Sequence, residues 1–207
     1  MPPRKRQVIV KGDDNMRLCV YGAASSSISP EYIKITEELG QQIAKRGHSM
    51  VYGAGANGLM GAAARGCHAF GGKILGVAPK FFNVDGLLFS ECTELIQPDT
   101  MRERKQIMED NADGFIVTPG GIGTFEEFFE ILTLKQLGRH NKPMVVFNIN
   151  GYYDCMQQFI QNAVDQNFLK EACLGLYKVC TEIDEIFDYF DSYVPMDYSI
   201  LDMKEVK

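Results

Sequence analysis

The chain has 207 residues, which is enough for one globular domain with a substantial core. Its hydrophobic content of 45% and charged content of 23% are typical of soluble globular proteins. The net charge of −6 argues against nucleic acid as a partner, and we interpret the basic start at residues 2–6 as a solvated tail. No signal-like apolar segment follows that start, and no apolar run reaches the roughly 18 residues of a membrane span, so we expect no membrane partner.

Cysteine and histidine usage bears on the compartment and on metal binding. The six cysteines include no C-x-x-C pair, and the three histidines lie far apart without ligand-like spacing. Scattered cysteines of this kind indicate reduced thiols in a cytoplasmic protein. The histidine spacing argues against a zinc site, so no metal ion is expected.

Strand-like and helix-like segments alternate along the chain. The predicted strands are 17–21, 49–52, 73–78, 92–96, 115–117, 144–148 and 177–180. The predicted helices are 30–46, 59–70, 101–110, 125–137, 152–167 and 183–190. Apolar strands separated by helices indicate an α/β fold with a doubly wound parallel sheet, covered on both faces, in a single domain. We expect this domain to occupy residues 17–193, with a flexible lead at 1–16 and a C-terminal tail at 194–207.

Three turns rich in glycine or serine follow predicted strands, at residues 22–27, 53–61 and 119–124. The carboxyl ends of parallel strands share one edge of the sheet, where ligands bind in such folds. The turns are therefore predicted to form one cleft for a phosphorylated small molecule. Their polar side chains offer neutral hydrogen bonds; they are Ser25, Ser26, Asn57 and Thr124.

The third turn, Pro119-Gly120-Gly121-Ile122-Gly123-Thr124, leads into a helix predicted to begin near Phe125. Glycines leave backbone N–H groups unobstructed at a helix N-terminus, where the helix dipole also favours an anion. An alternative is that Thr124 and Glu127 form a capping box and nothing more. A cap needs no glycine triplet, so the pattern favours a phosphate site, with Glu127 close to the bound phosphate.

The second turn matches G-x-G-x-x-G at residues 53–58, the fingerprint of dinucleotide-binding proteins. That fingerprint also needs an acidic residue at the end of the next strand, and no acid appears before Asp85. We therefore do not predict NAD binding, and we expect Gly55 and Asn57 to line the same pocket as the other turns.

The segment 100–105 is predicted to start a helix, because Thr100 and Glu103 fit a capping box. Its first turn then lies near the ligand edge, from which Arg104 and Lys105 could reach a phosphate or a sugar. The alternative is a solvated charged face.

Together these segments resemble the LONELY GUY family of cytokinin-activating phosphoribohydrolases, some of which were labelled lysine decarboxylases. The family signature PGGxGTxxE is matched at residues 119–127, its RK pair at Arg104 and Lys105, and its YGGGxxGLMG turn at residues 52–61. The similarity extends over residues 17–190. It implies a modified Rossmann fold, a homodimer or larger assembly, and no cofactor.

The resemblance implies hydrolysis of the N-glycosidic bond of a purine nucleoside 5′-monophosphate, which releases the base and ribose 5-phosphate. It makes Arg104 and Glu127 the catalytic pair. The residues assigned to substrate binding are Ser25, Gly55, Asn57, Lys105, Gly120, Gly121, Ile122, Gly123, Thr124, Glu126 and Thr133. A carboxylate such as Glu127 suits this chemistry, because cleavage develops positive charge on the ribose. Arg104 stays protonated and so would orient substrate or stabilise negative charge.

The sequence departs from the plant members of the family between Pro79 and the RK pair. Plant members carry an acidic residue near the base there, whereas this chain has Phe81-Phe82-Asn83 and then Leu87-Leu88-Phe89. Adenosine monophosphate is therefore as credible a substrate as a prenylated nucleotide. No lysine motif suggests a pyridoxal Schiff base, so decarboxylase chemistry is not expected.

Two alternatives come from other functional classes. A non-catalytic nucleotide or molybdenum-cofactor carrier would share the glycine turn but would not need a carboxylate beside the sugar. An NAD-dependent oxidoreductase has only the second turn in its favour. The predicted helix 125–137 is apolar on nearly its whole circumference, which favours a homodimer interface on this helix.

Overall fold

The structure, a computed structural model, describes residues 15–82 and 86–196. The strands in this part of the chain are β1 (Arg17–Tyr21), β2 (Ser49–Tyr52), β3 (Ile74–Val77), β4 (Glu94–Ile96), β5 (Gly114–Val117), β6 (Met144–Phe147) and β7 (Lys178–Cys180). The α-helices are α1 (Pro30–Lys45), α2 (Gly58–Ala69), α3 (Met101–Asp110), α4 (Ile122–Gln136), α5 (Asp154–Asp165) and α6 (Ile183–Asp191). Short 3-10 helices span Lys80–Phe82, Ile149–Gly151 and Glu171–Leu176.

The described strands form one sheet in the order β4-β3-β2-β1-β5-β6-β7, and every pair is parallel. The chain moves outward from β1 in one direction and later returns to β5, on the other side of β1, to continue in the opposite direction. This is the doubly wound arrangement that the alternating pattern predicted, and it confirms the Rossmann-like α/β fold. The switch between the two directions lies between β1 and β5.

Apolar residues cover both faces of the sheet. One core contains side chains of α3, α4 and α5, such as Met108, Phe128 and Ile160. The other contains side chains of α1, α2 and α6, such as Leu39 and Phe187. The central strands are buried on both faces, which explains why they appear in the sequence as continuous apolar runs.

The predicted elements are all present, with shifted ends. The largest correction is at α4, which begins at Ile122 instead of Phe125 and therefore includes half of the glycine turn. The helix predicted at 152–167 is shorter and spans Asp154–Asp165; Asn150 and Gly151 before it and Asn167 after it adopt positive φ angles. Although the predicted helix is apolar on nearly its whole circumference, α4 is not buried on all sides, since Phe129 is partly exposed and Ile122 largely so.

The predicted N-terminal lead and C-terminal tail lie mostly outside the described residues, as do Asn83 and Asp85. No helix in the described ranges combines the length and apolarity needed to cross a membrane.

Candidate active site

The glycine turn and the first serine-rich turn meet at the switch point of the sheet. Strands β1 and β5 are hydrogen-bonded neighbours, with Tyr21 opposite Val117 at their carboxyl ends. The amide of Ala23 donates to the carbonyl of Pro119 over 3.1 Å, which ties the two turns together. A cavity of about 260 Å³ opens beside them. Its lining comprises Ala23, Ser25, Ile28, Ser29, Tyr32, Leu59, Pro119, Gly120, Gly121 and Tyr152.

The N-terminus of α4 is formed by the glycine turn itself. Gly121 is the N-cap and has no side chain to accept from the helix amides, so the capping-box alternative for Thr124 and Glu127 is wrong. The amides of Gly121, Ile122, Gly123 and Thr124 are the donors that a helix leaves unpaired at its start. They coincide with the positive end of the helix dipole, which suits an anion.

Two kinds of glycine occur in this turn. A β-carbon on Gly120 would lie 2.1 Å from Oγ1 of Thr124, so Gly120 is required for the packing of the buried Thr124 side chain. A β-carbon on Gly121 or Gly123 would meet no described atom within 4 Å. Packing therefore does not require glycine at these two positions, where bare α-carbons leave open space above the helix amides.

Arg104 and Glu127 form a buried ion pair beside this turn. Helix α3 starts with the predicted capping box of Thr100 and Glu103, and this start brings Arg104 inward from its first turn. The guanidinium donates from Nη1 to Oε1 of Glu127 over 2.7 Å and from Nε to the carbonyl of Val77 over 3.2 Å. Arg104 is 6% exposed and Glu127 is 7% exposed, so the two charges are held almost out of water.

The surroundings of Glu127 change the pKa of its carboxyl group. Burial raises the pKa of the Glu127 carboxyl above its ordinary value, while the charge and hydrogen bond of Arg104 act against this rise. A buried carboxyl group that is paired with a fixed cation, on a helix whose first amides suit an anion, is an arrangement that occurs at catalytic centres.

Lys105 forms ion pairs with two carboxylates of α4. Its ammonium group contacts Glu126 and lies 2.9 Å from Oε2 of Glu130, both on α4. Burial opposes the charge of Lys105, but the hydrogen bonds to these two carboxylates raise its pKa. Lys105 and Glu126, both predicted to bind substrate, are thus paired with each other and join α3 to α4.

In the second turn, the first amides of α2 are hydrogen-bonded to a backbone carbonyl of the first turn. The carbonyl of Ala23 accepts from the amides of Leu59 and Met60, over 2.8 and 3.2 Å, so the start of α2 holds a protein carbonyl where a dinucleotide would place its pyrophosphate. Gly55 is buried and bridges to Leu88, whereas the Asn57 side chain is exposed. Neither residue is among those that line the cavity at the switch point.

Ser25 lies at the cavity beside the glycine turn, whereas Thr133 lies further along α4. Ser25 lines the cavity, and its hydroxyl accepts from the amide of Ser27 over 3.2 Å. Thr133 is exposed on α4, six residues after Glu127, which places it about 9 Å further along the axis and about 120° around it. The structure therefore does not bring Thr133 together with the glycine turn of the same chain.

Sequence reasoning missed the contribution of the turn after β6. The Tyr152 hydroxyl donates to the carbonyl of Gly120 in the glycine turn, and the Tyr153 hydroxyl donates to the carbonyl of Thr118, just before the turn. A signal was present, because Asn-Gly-Tyr-Tyr follows a strand that the predicted topology places beside β5. The described residues contain no group of three histidine, cysteine or acidic side chains arranged to hold a metal ion.

Comparison with known proteins gives the family of the chain. The sequence model of a family described as "Possible lysine decarboxylase" matches residues 60–190. A cytokinin riboside 5′-monophosphate phosphoribohydrolase of Mycobacterium tuberculosis is 40% identical over 178 residues, which cover 86% of this chain and 93% of that protein. The cytokinin riboside 5′-monophosphate phosphoribohydrolase LOG2 of Arabidopsis thaliana is 35% identical over 179 residues, covering 86% and 84%.

Solved structures show the same fold at lower identity. A molybdenum cofactor binding protein of Rippkaea orientalis superposes with a TM-score of 0.67 at 19% identity, covering 86% of this chain and 97% of that one. The molybdenum cofactor carrier protein of Chlamydomonas reinhardtii gives a TM-score of 0.64 at 21% identity, covering 84% and 95%. At this level of identity these structures establish only that the fold is shared. The sequence relatives are more similar, and the matched regions cover most of their length. The chain therefore belongs to the LONELY GUY family, the phosphoribohydrolase family whose sequence model keeps the lysine decarboxylase description.

Proposed function

We propose that the chain hydrolyses the N-glycosidic bond of purine nucleoside 5′-monophosphates and releases the free base and ribose 5-phosphate. The observation that carries this proposal is the buried Arg104–Glu127 pair beside the open amides of the glycine turn. A protein that only binds an anion gains nothing from a buried carboxylate next to it. A glycosidase needs one, because the ribose ring becomes cationic as the bond breaks.

The proposed reaction uses the two parts of the site for different tasks. The amides of residues 121–124 bind the 5′-phosphate, which lies outside the reacting bond and fixes the position of the ribose. The C1′–N9 bond breaks with its electron pair on the purine, and water adds its oxygen to C1′. One proton of that water remains on the new hydroxyl, and the other balances the departing base.

Glu127 is proposed to stabilise the ribose cation and to orient the water, for which its carboxylate form is needed. Arg104 donates a hydrogen bond of 2.7 Å to this carboxylate and places a positive charge beside it. Nothing in this reaction requires a metal ion or an organic cofactor. The named relatives of Mycobacterium and Arabidopsis act on cytokinin riboside 5′-monophosphate, which supports a nucleotide of this class as substrate.

The preference among purine bases is proposed to depend on the segment after β3. Phe81 is 59% exposed and packs edge-on against Phe82, with ring centroids 4.8 Å apart. An aromatic pair of this kind favours a flat or apolar group over a charged one. We therefore propose that both adenosine monophosphate and its N6-prenylated form are substrates.

We propose a homodimer that forms through the exposed face of α4. Ile122 and Phe129 are apolar and exposed on this face, at 86% and 38%. A second copy would shield these side chains from water. Thr133 is also exposed on α4, so a role for Thr133 at the substrate would require the second copy.

We propose a cytoplasmic location because the cysteine thiols are free. All six cysteines lie in the described ranges, and all are free. Free thiols persist in a reducing compartment. The net charge of −6 supports the proposal that neither nucleic acid nor an anionic membrane surface is a partner.

A product assay tests the proposed reaction. The purified chain is incubated with AMP and with isopentenyladenosine monophosphate, and the free base and ribose 5-phosphate are quantified by chromatography. We expect release of both products, and Glu127→Gln should lower the rate by about 100-fold or more while nucleotide still binds. Glu171→Gln, the same charge-neutralising change at an exposed position away from the site, is the matched control.

The outcomes separate the enzyme from a carrier. Nucleotide binding without release of base, in the wild-type chain, would support a carrier and refute the proposal. Full activity in Glu127→Gln would also refute it, because Glu127 would then have only a structural role.

A further inference from the structure

Three successive carbonyl groups at the entrance to the glycine turn, those of Thr118, Pro119 and Gly120, accept hydrogen bonds from other parts of the chain. The Tyr153 hydroxyl donates to the carbonyl of Thr118 over 2.7 Å, and the amide of Ala23 donates to that of Pro119 over 3.1 Å. The Tyr152 hydroxyl donates to the carbonyl of Gly120 over 2.6 Å. The orientations of the three peptide units that follow Thr118, Pro119 and Gly120 are therefore fixed from outside the turn.

The two tyrosines are placed by a turn with unusual backbone geometry. Asn150 has φ 51° and Gly151 has φ 73°, so two consecutive residues are left-handed. The side chain of Asn148 stabilises this turn, since its Oδ1 accepts from the amide of Tyr153 over 2.7 Å. A left-handed asparagine costs conformational energy, which is typical of positions where the chain must aim particular side chains.

The two hydrogen bonds have different consequences for the anion site. In a trans peptide the C=O and N–H groups point in opposite directions, and every described peptide is trans. When Tyr152 holds the carbonyl of Gly120, the amide of Gly121 must point away from Tyr152. The corresponding bond of Tyr153 orients no donor, because the residue after Thr118 is Pro119, which has no N–H.

We propose that Tyr152 is a positioning residue of the anion site, which aims the Gly121 amide at the phosphate of the substrate. This inference rests on the proposed function, since it takes the glycine turn as the phosphate site. Tyr152 acts through the backbone of the turn, and its hydroxyl is already occupied by the Gly120 carbonyl. Without that bond the 120–121 peptide is free to rotate, and the aligned donor is lost.

The structure supplies a matched pair of variants. Tyr152→Phe and Tyr153→Phe each remove one hydroxyl that donates to a carbonyl in the turn or just before it, and each keeps the ring. Tyr152 is 42% exposed, so its variant should fold with little change in melting temperature. Tyr153 is 1% exposed, and its loss leaves the buried carbonyl of Thr118 without this donor, so its variant should melt at a lower temperature.

Isothermal titration with ribose 5-phosphate and with inorganic phosphate, on the full chain, measures the effect on the site. Tyr152→Phe should weaken both affinities by about tenfold, which corresponds to one well-aligned hydrogen bond to a charged group. KM for AMP should rise by a similar factor with kcat within about twofold, because the phosphate does not react. Tyr153→Phe should bind both probes within about twofold of the wild-type affinity.

Wild-type affinity in Tyr152→Phe would overturn the inference, and so would an equal loss of affinity in both variants. If the wild-type chain binds neither probe, the anion site and this inference fail together. If it binds both probes but hydrolyses no nucleotide, the proposed function fails, and the comparison of the two tyrosine variants still decides the role of Tyr152.

Discussion

A β-carbon placed on Gly53 would lie 2.0 Å from Nη2 of Arg104, far inside van der Waals contact. The guanidinium occupies the space above the bare α-carbon of this residue, which begins the turn after β2. This contact explains a glycine of the G-x-G-x-x-G pattern without a dinucleotide. The second turn serves the site by giving the arginine room to reach Glu127.

Gly53→Ala should therefore inactivate the site without direct loss of a polar group. The new methyl group would displace the guanidinium by more than 1 Å and disturb its bond to Glu127, and misplacements of this size cost about 100-fold in rate. The measurement is kcat/KM for AMP, with the melting temperature recorded in parallel. Gly175→Ala is the control, since a β-carbon there meets no described atom within 4 Å. Full activity in Gly53→Ala would show that the position of Arg104 does not matter.

The pH dependence of kcat/KM should show an acid limb set by Glu127. Burial raises the pKa of its carboxyl, so activity that needs the carboxylate form should fall as the pH drops through a value above the ordinary range of glutamate. The charge of Glu126 raises this pKa further, whereas that of Lys105 lowers it. Glu126→Gln should move the limb to lower pH and Lys105→Met to higher pH.

Rates measured between about pH 4 and pH 9 with a saturating and a limiting substrate concentration give the position of the limb. A limb that stays in place in both variants, or that moves in the reverse directions, would assign it to a group other than Glu127.

Lys135 makes a separate prediction about stability. Its side chain is buried, and Nζ donates to the carbonyl of Lys142 over 2.9 Å and lies 5.0 Å from the ring of Tyr193. No ion pair with a carboxylate includes Lys135 in the described part of the chain. Burial lowers the pKa of its ammonium group from 10.5 to about 8.

The sign of the effect follows from proton linkage. Between pH 8 and 10.5 the unfolded chain holds the proton on Lys135 more tightly than the folded chain, so stability rises with pH across this window. The full difference corresponds to roughly 3 kcal/mol. The free energy of unfolding of wild type relative to Lys135→Met, from urea titrations at several pH values, should increase by up to that amount. A difference that does not change with pH would mean that Lys135 is charged and solvated in the folded chain.

The centre of the sheet was predictable because β1, β2 and β5 are short, mostly apolar runs that are followed by turns rich in glycine or serine. The start of α4 was not, because Thr124 and Glu127 match a capping box in sequence. In the structure Thr124 packs against Gly120, and Glu127 turns inward to Arg104. A local pattern cannot show which of two hydrogen-bond partners a side chain takes when one of them lies on another helix.

The pairing within the site depends on topology more than on spacing. Arg104 and Glu127 are 23 residues apart in the sequence. They meet because α3, which precedes β5 in the chain, and α4, which follows β5, pack on the same face of the sheet. The sequence placed both residues near the ligand edge, and its suggestion that Lys105 reaches the ligand stays a prediction. It did not predict that the ammonium of Lys105 meets both Glu126 and Glu130, which is possible because residues four apart on α4 lie on one side of that helix.

The exposed face of α4 leads to a prediction about assembly. If this face forms the proposed homodimer, Phe129→Lys should place a charge in the interface and convert the dimer to monomer in multi-angle light scattering at micromolar concentration. Phe159→Lys makes the same change at a side chain of α5 that is 69% exposed, and it should leave the dimer intact.

The activity of the same variants tests whether assembly matters to the site. Glu126 lies on α4 between Ile122 and Phe129, and its ion pair with Lys105 links α3 to α4. The loss of a packed partner would leave this ion pair exposed to water and weaken the link. Phe129→Lys should then lower kcat/KM for AMP, with the largest loss at low protein concentration. A wild-type chain that is monomeric at all concentrations would refute the dimer, and dissociation by Phe159→Lys alone would place the interface on α5. In either case the exposed apolar side chains of α4 would have to be explained without a second copy.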